Sequence, residues 1–133
     1  FSSTVANQFL IRASGGVGIG TNSTSNILTI QQSSATDPIA DAWTTYSSRR
    51  WKENIKPLEG ALEKVEKLQG VSYDWKETGK HDIGLIAEEV GKVIPEVVAY
   101  EENGVDAKSV DYPRLVALLI EAIKQQQQEI KEL

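Results

Sequence analysis

The chain has 133 residues, 40% hydrophobic and 25% charged, with a net charge of −5 and no cysteine. That suits one small folded domain plus an extension, excludes disulfides and thiolate metal sites, and argues against non-specific nucleic-acid binding, which needs a basic face. The single histidine leaves no paired-His metal motif, and no apolar run approaches the ~20 residues of a membrane span, so no metal, cofactor, nucleic acid or membrane is expected. Phe1 opens the chain without methionine, basic start or apolar stretch, which reads as a piece of a longer polypeptide rather than a signal peptide.

Residues 1–46 carry only Arg12, Asp37 and Asp41 as charges and are rich in Ser, Thr, Asn and Gly; the other 13 positive and 17 negative charges lie in residues 47–133. The first part reads as short strands. In "QFLIRA", Phe9 and Ile11 share a face. In "ASGGVGIGTN", Val17 and Ile19 face away from Gly16, Gly18 and Gly20, and a bare glycine face suits close backbone approach. This stretch has neither the lysine of a phosphate-binding loop nor a helical pattern behind it, so it reads as a turn or fibre strand. "NILTIQ" sets Ile27, Thr29 and Gln31 opposite Leu28 and Ile30. A few short strands are marginal alone in water. Pairing with other copies or with upstream chain is therefore expected, a first sign of an obligate oligomer.

The junction reads "TTYSSRRWKENI", residues 44–55. Serine needs a base to become a nucleophile, and lysine is a base only when neutral, a state favoured by burial and nearby positive charge. Trp51 is placed to desolvate Lys52, and Arg49 and Arg50 to add like-charge pressure unless Glu53 cancels it. Spacing is a constraint. On a strand, Ser47 and Lys52 would lie about 16 Å apart on opposite faces; on a helix, about 140° apart. Ser47 therefore needs a turn, or Lys52 of another subunit. Ser48 would meet Lys52 on a helix and is the alternative nucleophile. The plain reading of the same residues is a polar linker.

Beyond the junction the signals alternate. "PLEGALEKVEKLQG" spaces Leu58, Leu62, Val65 and Leu68 as a helix, with Pro57 near its start and Gly70 past its end. "VSYDW" alternates as a strand. "DIGLIAEEVGKVIPEVV" starts as a strand near Ile83–Ile86 and turns helical over Ala87–Val93 before Pro95. "VVAY" and "VDAKSVDY" flank the turn "EENG". His81 reads as structural, or as a secondary partner of the dyad. The order helix, strand, strand, helix, strand, strand, helix gives an α+β class.

"DYPRLVALLIEAIKQQQQEIKEL" is the clearest helix, with Asp111 as cap and Pro113 in the first turn. A seam runs through Val116, Leu119, Ile123, Gln126, Ile130 and Leu133 at steps of three and four. Leu115, Leu118 and Ile120 make the first turns apolar all round, so burial against the domain is expected there and a coiled coil from Lys124 onward. Gln126 would be a polar layer fixing register.

Taken together, "SSRRWKENIKPL", "YDWK", "HDIGLIAEEVGKVIPEVV" and "VDYPRLVALLIEAIKQQQQEIKEL" resemble the intramolecular chaperone auto-processing family, over residues 47–133. This family ends phage tailspikes, tail fibres, neck appendages and endosialidases, as well as the membrane-tethered myelin regulatory factor. "FLIRASGGVGIGTN" is similar to the shaft sequence found upstream of it. The resemblance implies a homotrimer: a β-rich fibre segment over residues 1–46, then a small mixed α/β chaperone domain over 47–133 with a coiled-coil-like final helix. It implies that this domain promotes folding of its own upstream shaft and then releases itself. The family's Ser-Asp-x-Arg-x-Lys pattern falls on Ser47 as nucleophile, Arg50 in support and Lys52 as base, with Tyr46–Ser47 as the scissile bond and Ser47–Ser48 as competitor. Ser48 stands where the family often has Asp. The implied setting is a phage virion tail, and the implied partners are other copies and the chain's own shaft. The alternatives are a permanent, non-cleaving trimerisation cap, or a sugar-binding fibre tip using Trp43, Trp51 and Trp75, although tryptophans more often serve cores and interfaces.

Overall fold

A computed structural model describes residues 9–133. The chain forms two compact units, Phe1–Trp43 and Thr44–Leu133.

In the first unit, β1 (Val17–Ile19) pairs in parallel with β2 (Leu28–Ile30), in the register Val17↔Leu28, Gly18↔Thr29, Ile19↔Ile30. The connection is residues 20–27, shorter than the dozen or more residues of an ordinary parallel crossover. An arch replaces the crossover: Thr24 Oγ1 donates to the Gly15 carbonyl, and the Ser23 N–H donates to Thr21 Oγ1 at 3.1 Å. The glycines make the arch possible. Gly16 sits at φ 89°, where a Cβ would overlap the Asn26 carbonyl oxygen, and a Cβ on Gly18 would overlap that of Thr21. The close approach expected of the glycine face thus occurs inside the chain's own arch. The expected "QFLIRA" strand does not form over Phe9–Ala13, which has no ladder partner among the described residues, and Phe9 and Ile11 stand exposed; Gln8 lies outside them.

The second unit follows the expected order. Helix α1 is Ala61–Glu66. It starts four residues after Pro57 because Gly60, at φ 63°, takes the left-handed conformation and resets the chain direction. Gly60 has no side chain to cap the helix. The Leu62 N–H is satisfied instead by Gln125 Oε1, at 3.2 Å. β3 (Val71–Asp74) and β4 (His81–Gly84) form an antiparallel hairpin with Tyr73 opposite Asp82. β4 begins two residues before the expected Ile83, leaving Leu85 and Ile86 to lead into α2 (Ala87–Val93). Pro95 opens a 3-10 turn, Pro95–Val97. β5 (Val98–Tyr100) pairs antiparallel with β6 (Ala107–Val110). The turn between them is organised by Asn103 Oδ1, which accepts from Val105 N–H at 2.9 Å and Asp106 N–H at 3.0 Å. A further 3-10 turn, Tyr112–Arg114, leads into α3 (Leu115–Lys131). Asp111 does not cap with its side chain, which pairs with Arg114 Nε at 2.9 Å.

Apolar burial holds this unit together. Ala61, Val90, Ile94, Val97, Leu115, Leu118 and Ala122 form the core, with Leu62, Val65, Leu68, Leu85, Val98 and Val110 packed around it. One stripe of α3 (Leu115, Leu118, Ala122) faces inward against α1. Ile120 was expected inside, but it falls off that stripe and is 48% exposed. The seam residues Val116, Leu119, Ile123, Gln126, Ile130 and Leu133 are also exposed.

Candidate active site

The junction is shaped by a 3-10 turn over Arg49–Trp51. Trp51 N–H donates to the Ser48 carbonyl at 3.2 Å, and Lys52 N–H to the Arg49 carbonyl at 3.0 Å. The turn solves the spacing problem within one chain: Lys52 Nζ lies 2.8 Å from Ser47 Oγ. A charged lysine donates across this distance; a neutral one accepts the hydroxyl proton, as a base must. Ser48 forms the N-terminal edge of the turn, in extended conformation, and uses its carbonyl there. The arrangement therefore brings Ser47 rather than Ser48 to Lys52. The Tyr46 ring meets Trp51 edge-on, centroids 5.3 Å apart and planes at 90°. The Arg50 guanidinium lies 4.3 Å over the Trp51 ring. One expectation fails: Trp51 does not bury Lys52. Its ring is in contact with Tyr46 and Arg50, and Ser47, Trp51 and Lys52 are all exposed.

Residues 47–99 match the family model described as chaperone of endosialidase. The match takes in under half of the chain. Over 94 residues the chain is 39% identical to the long tail fiber protein Gp37 of Enterobacteria phage K3, covering 65% of this chain and 8% of the relative. It is 40% identical over 95 residues to Gp37 of Enterobacteria phage M1, covering 65% and 38%. Over 96 residues it is 32% identical to Gp37 of Salmonella phage S16, covering 65% and 13%. The chain thus spans well under half the length of each of these relatives.

The match to the chaperone-of-endosialidase family begins at Ser47 and runs through α1, the β3–β4 hairpin and α2 to β5. The hairpin carries polar detail that residue patterns did not reveal. Trp75 Nε1 donates to Asp82 Oδ2 at 3.1 Å, while the Ile83 N–H donates to Asp82 Oδ1 at 2.9 Å. These bonds, the backbone one first, hold the Asp82 carboxyl below its ordinary value. His81 opens β4, exposed, with Nδ1 2.7 Å from Asp74 Oδ1 across the hairpin. Tyr73 and Trp75 stack edge-to-face at 5.3 Å. With Leu85, Ile86, Val110 and Tyr112 they line an open groove of about 480 Å³. The sequence did hold a signal for it, since Tyr73 and Trp75 alternate onto one strand face. None of the three tryptophans is in the core: Trp43, Trp51 and Trp75 are 75%, 55% and 40% exposed. Among the described residues no cluster of His, Asp and Glu suits a metal ion, and no helix is long and apolar enough to cross a membrane.

Proposed function

We propose that this chain is the chaperone end of a phage tail-fibre polypeptide, which joins three copies, promotes folding of the shaft before it, and then cuts itself at Tyr46–Ser47. The observation that carries the cut is the 2.8 Å contact between Lys52 Nζ and Ser47 Oγ in a family of fibre-associated chaperones. The tail-fibre names of the relatives support a place in the virion tail. The exposed apolar seam on α3, Val116, Leu119, Ile123, Ile130 and Leu133 with Gln126 between, suits packing against copies of itself. Three chains held there bring their shafts to high effective concentration. Registered strand pairing, otherwise slow and prone to aggregation, then proceeds without a search through solution.

In the cut, Ser47 Oγ attacks the Tyr46 carbonyl carbon and closes a five-membered ring, its proton passing to Lys52 Nζ. The Tyr46–Ser47 C–N bond breaks, the Ser47 nitrogen takes the proton, and an ester joins Tyr46 to Oγ. Water hydrolyses that ester, leaving a Tyr46 carboxylate and a free Ser47 amine. Losing the chaperone leaves the folded shaft kinetically trapped. Intact-mass analysis of the expressed chain tests this: fragments ending at Tyr46 and starting at Ser47 are expected, and none from Ser47→Ala or Lys52→Ala. An uncut wild-type chain refutes the peptidase step. A second reading, a permanent trimerisation cap with an inert dyad, is favoured by Ser48 at the family's Asp position and by the exposure of Lys52. It predicts identical, uncut wild-type and Ser47→Ala chains. Sedimentation tests the assembly common to both; Leu119→Asp with Ile123→Asp should turn a trimer into monomer, and a monomeric wild type at micromolar concentration refutes both readings.

A further inference from the structure

Trp51 lies between the two arginines and the lysine of the junction, and nothing in the dyad chemistry calls for it. Its contacts give it a task. The residue after it supplies the amine at Ser47 Oγ, and its own ring is met edge-on by Tyr46. The two adjacent residues Trp51 and Lys52 therefore hold the two adjacent residues Tyr46 and Ser47, one pair through rings and the other through a hydrogen bond. Tyr46 is otherwise 88% exposed. Its carbonyl carbon is the electrophile of the cut, and the attack succeeds only when carbonyl and Oγ stand within about 3–3.5 Å in the right alignment. Arg50 lies 4.3 Å over the Trp51 ring, and the backbone Trp51 N–H to Ser48 carbonyl bond fixes the turn that carries the indole.

We propose that Trp51 is a positioning residue, an aromatic clamp that holds the Tyr46 carbonyl in register with Ser47, and that the cut is accordingly faster with an aromatic residue just before the serine. This rests on the self-cleavage reading above. An edge-to-face ring pair is worth up to roughly a tenfold rate factor when it acts at the reacting geometry.

The test is the first-order conversion of the full chain to two fragments, followed by intact mass over a pH series, with oligomeric state and circular dichroism checked for each variant. Trp51→Ala and Tyr46→Ala should each cut about tenfold more slowly, and the double variant no more slowly than the slower single one, because the rings act as one unit. Trp51→Phe and Tyr46→Phe should restore most of the rate. The pH midpoint of the cut should stay in place while the plateau falls. Wild-type rates in Trp51→Ala, additive losses, or a moved midpoint with an unchanged plateau would each overturn the clamp, the last by making Trp51 a wall for Lys52 instead. If the wild-type chain stays as intact as Lys52→Ala at every pH, the cleavage reading falls and the clamp with it. A wild type that cuts beside an indifferent Trp51→Ala removes the clamp alone.

Discussion

Gly84 ends β4 against Tyr112 of the 3-10 turn before α3, and its replacement gives a sharp test of that packing. A Cβ there would stand 2.6 Å from Tyr112 Oη and 3.5 Å from the Tyr73 ring. The same hydroxyl accepts the N–H of half-buried Leu85 at 2.9 Å. Gly84 does not use positive φ, so alanine is admissible to the backbone and the cost comes from the hydroxyl it strikes. Gly84→Ala should cost about 1–3 kcal/mol, the usual range for overpacking. Tyr112→Phe should cost about 1–3 kcal/mol, because it leaves the Leu85 N–H without its acceptor. Together they should not add. Phenylalanine removes the atom that alanine meets, so the double variant should be no less stable than Tyr112→Phe alone. The coupling should then match the Gly84→Ala cost, about 1–3 kcal/mol in favour of the pair. Urea unfolding of the full chain, followed by tryptophan fluorescence at one fixed concentration, measures all four corners of the cycle. Simple additivity would mean that Tyr112 is not what fills the space over Gly84.

Other substitutions probe separate links. Gln125→Ala should cost about 1 kcal/mol, the usual loss of a helix cap, because α1 has only Gly60 at its start and borrows this amide from α3; thermal unfolding checks it, and Gln125→Glu should be tolerated because its carboxylate still accepts at a helix N-terminus. Leu118→Ala, at a side chain 1% exposed in a small core, should cost about 3–5 kcal/mol, read by the same urea titration. Asp82 has a lowered carboxyl pKa, owed first to the Ile83 N–H and then to the Trp75 indole. Its stabilisation is therefore present above the ordinary aspartate value near 3.8 and lost as pH falls through the lowered one. Asp82→Asn should flatten that acid limb in unfolding midpoints measured downward from pH 5.

The fold of the second unit was legible because its signals change period cleanly. Alternation in "VSYDW" and the switch at Ala87 to helical spacing placed β3 and the start of α2 well. Errors arose where two local rules competed. Pro57 is a good helix opener, yet Gly60 takes φ 63° and the helix waits until Ala61. Counting apolar residues put Ile120 inside, whereas the inward stripe ends on Ala122, whose small side chain gives little signal. "QFLIRA" alternates, but alternation cannot supply the missing ladder partner. At the site, five-residue spacing fits neither a regular strand nor a regular helix, and only a single 3-10 turn joins Ser47 to Lys52. Family resemblance named that pair; spacing alone leaned toward Ser48. The Tyr46–Trp51 contact had no sequence signature, since ring edges meet through the same irregular turn.

The bonds that shape the junction come from within it: Trp51 N–H to Ser48, Lys52 N–H to Arg49, Lys52 Nζ to Ser47. The Lys52–Ser47 contact is therefore made by local bonds rather than by the core. Its chemistry needs more, because a lysine becomes an effective base when water is kept from it, and Lys52 is open to solvent, as are Trp51, Ile55 and Leu58 along the same strand of chain. Local geometry with coverage supplied from elsewhere is a way to delay a reaction until assembly has occurred. If copies of the chain supply the coverage, the cleavage rate constant should rise with protein concentration and level off once assembly is complete. Dilution into the nanomolar range should leave chains intact and still folded by circular dichroism. A rate constant unchanged across that dilution would mean that the single chain protects its own lysine, and the delay would have to come from folding of the shaft.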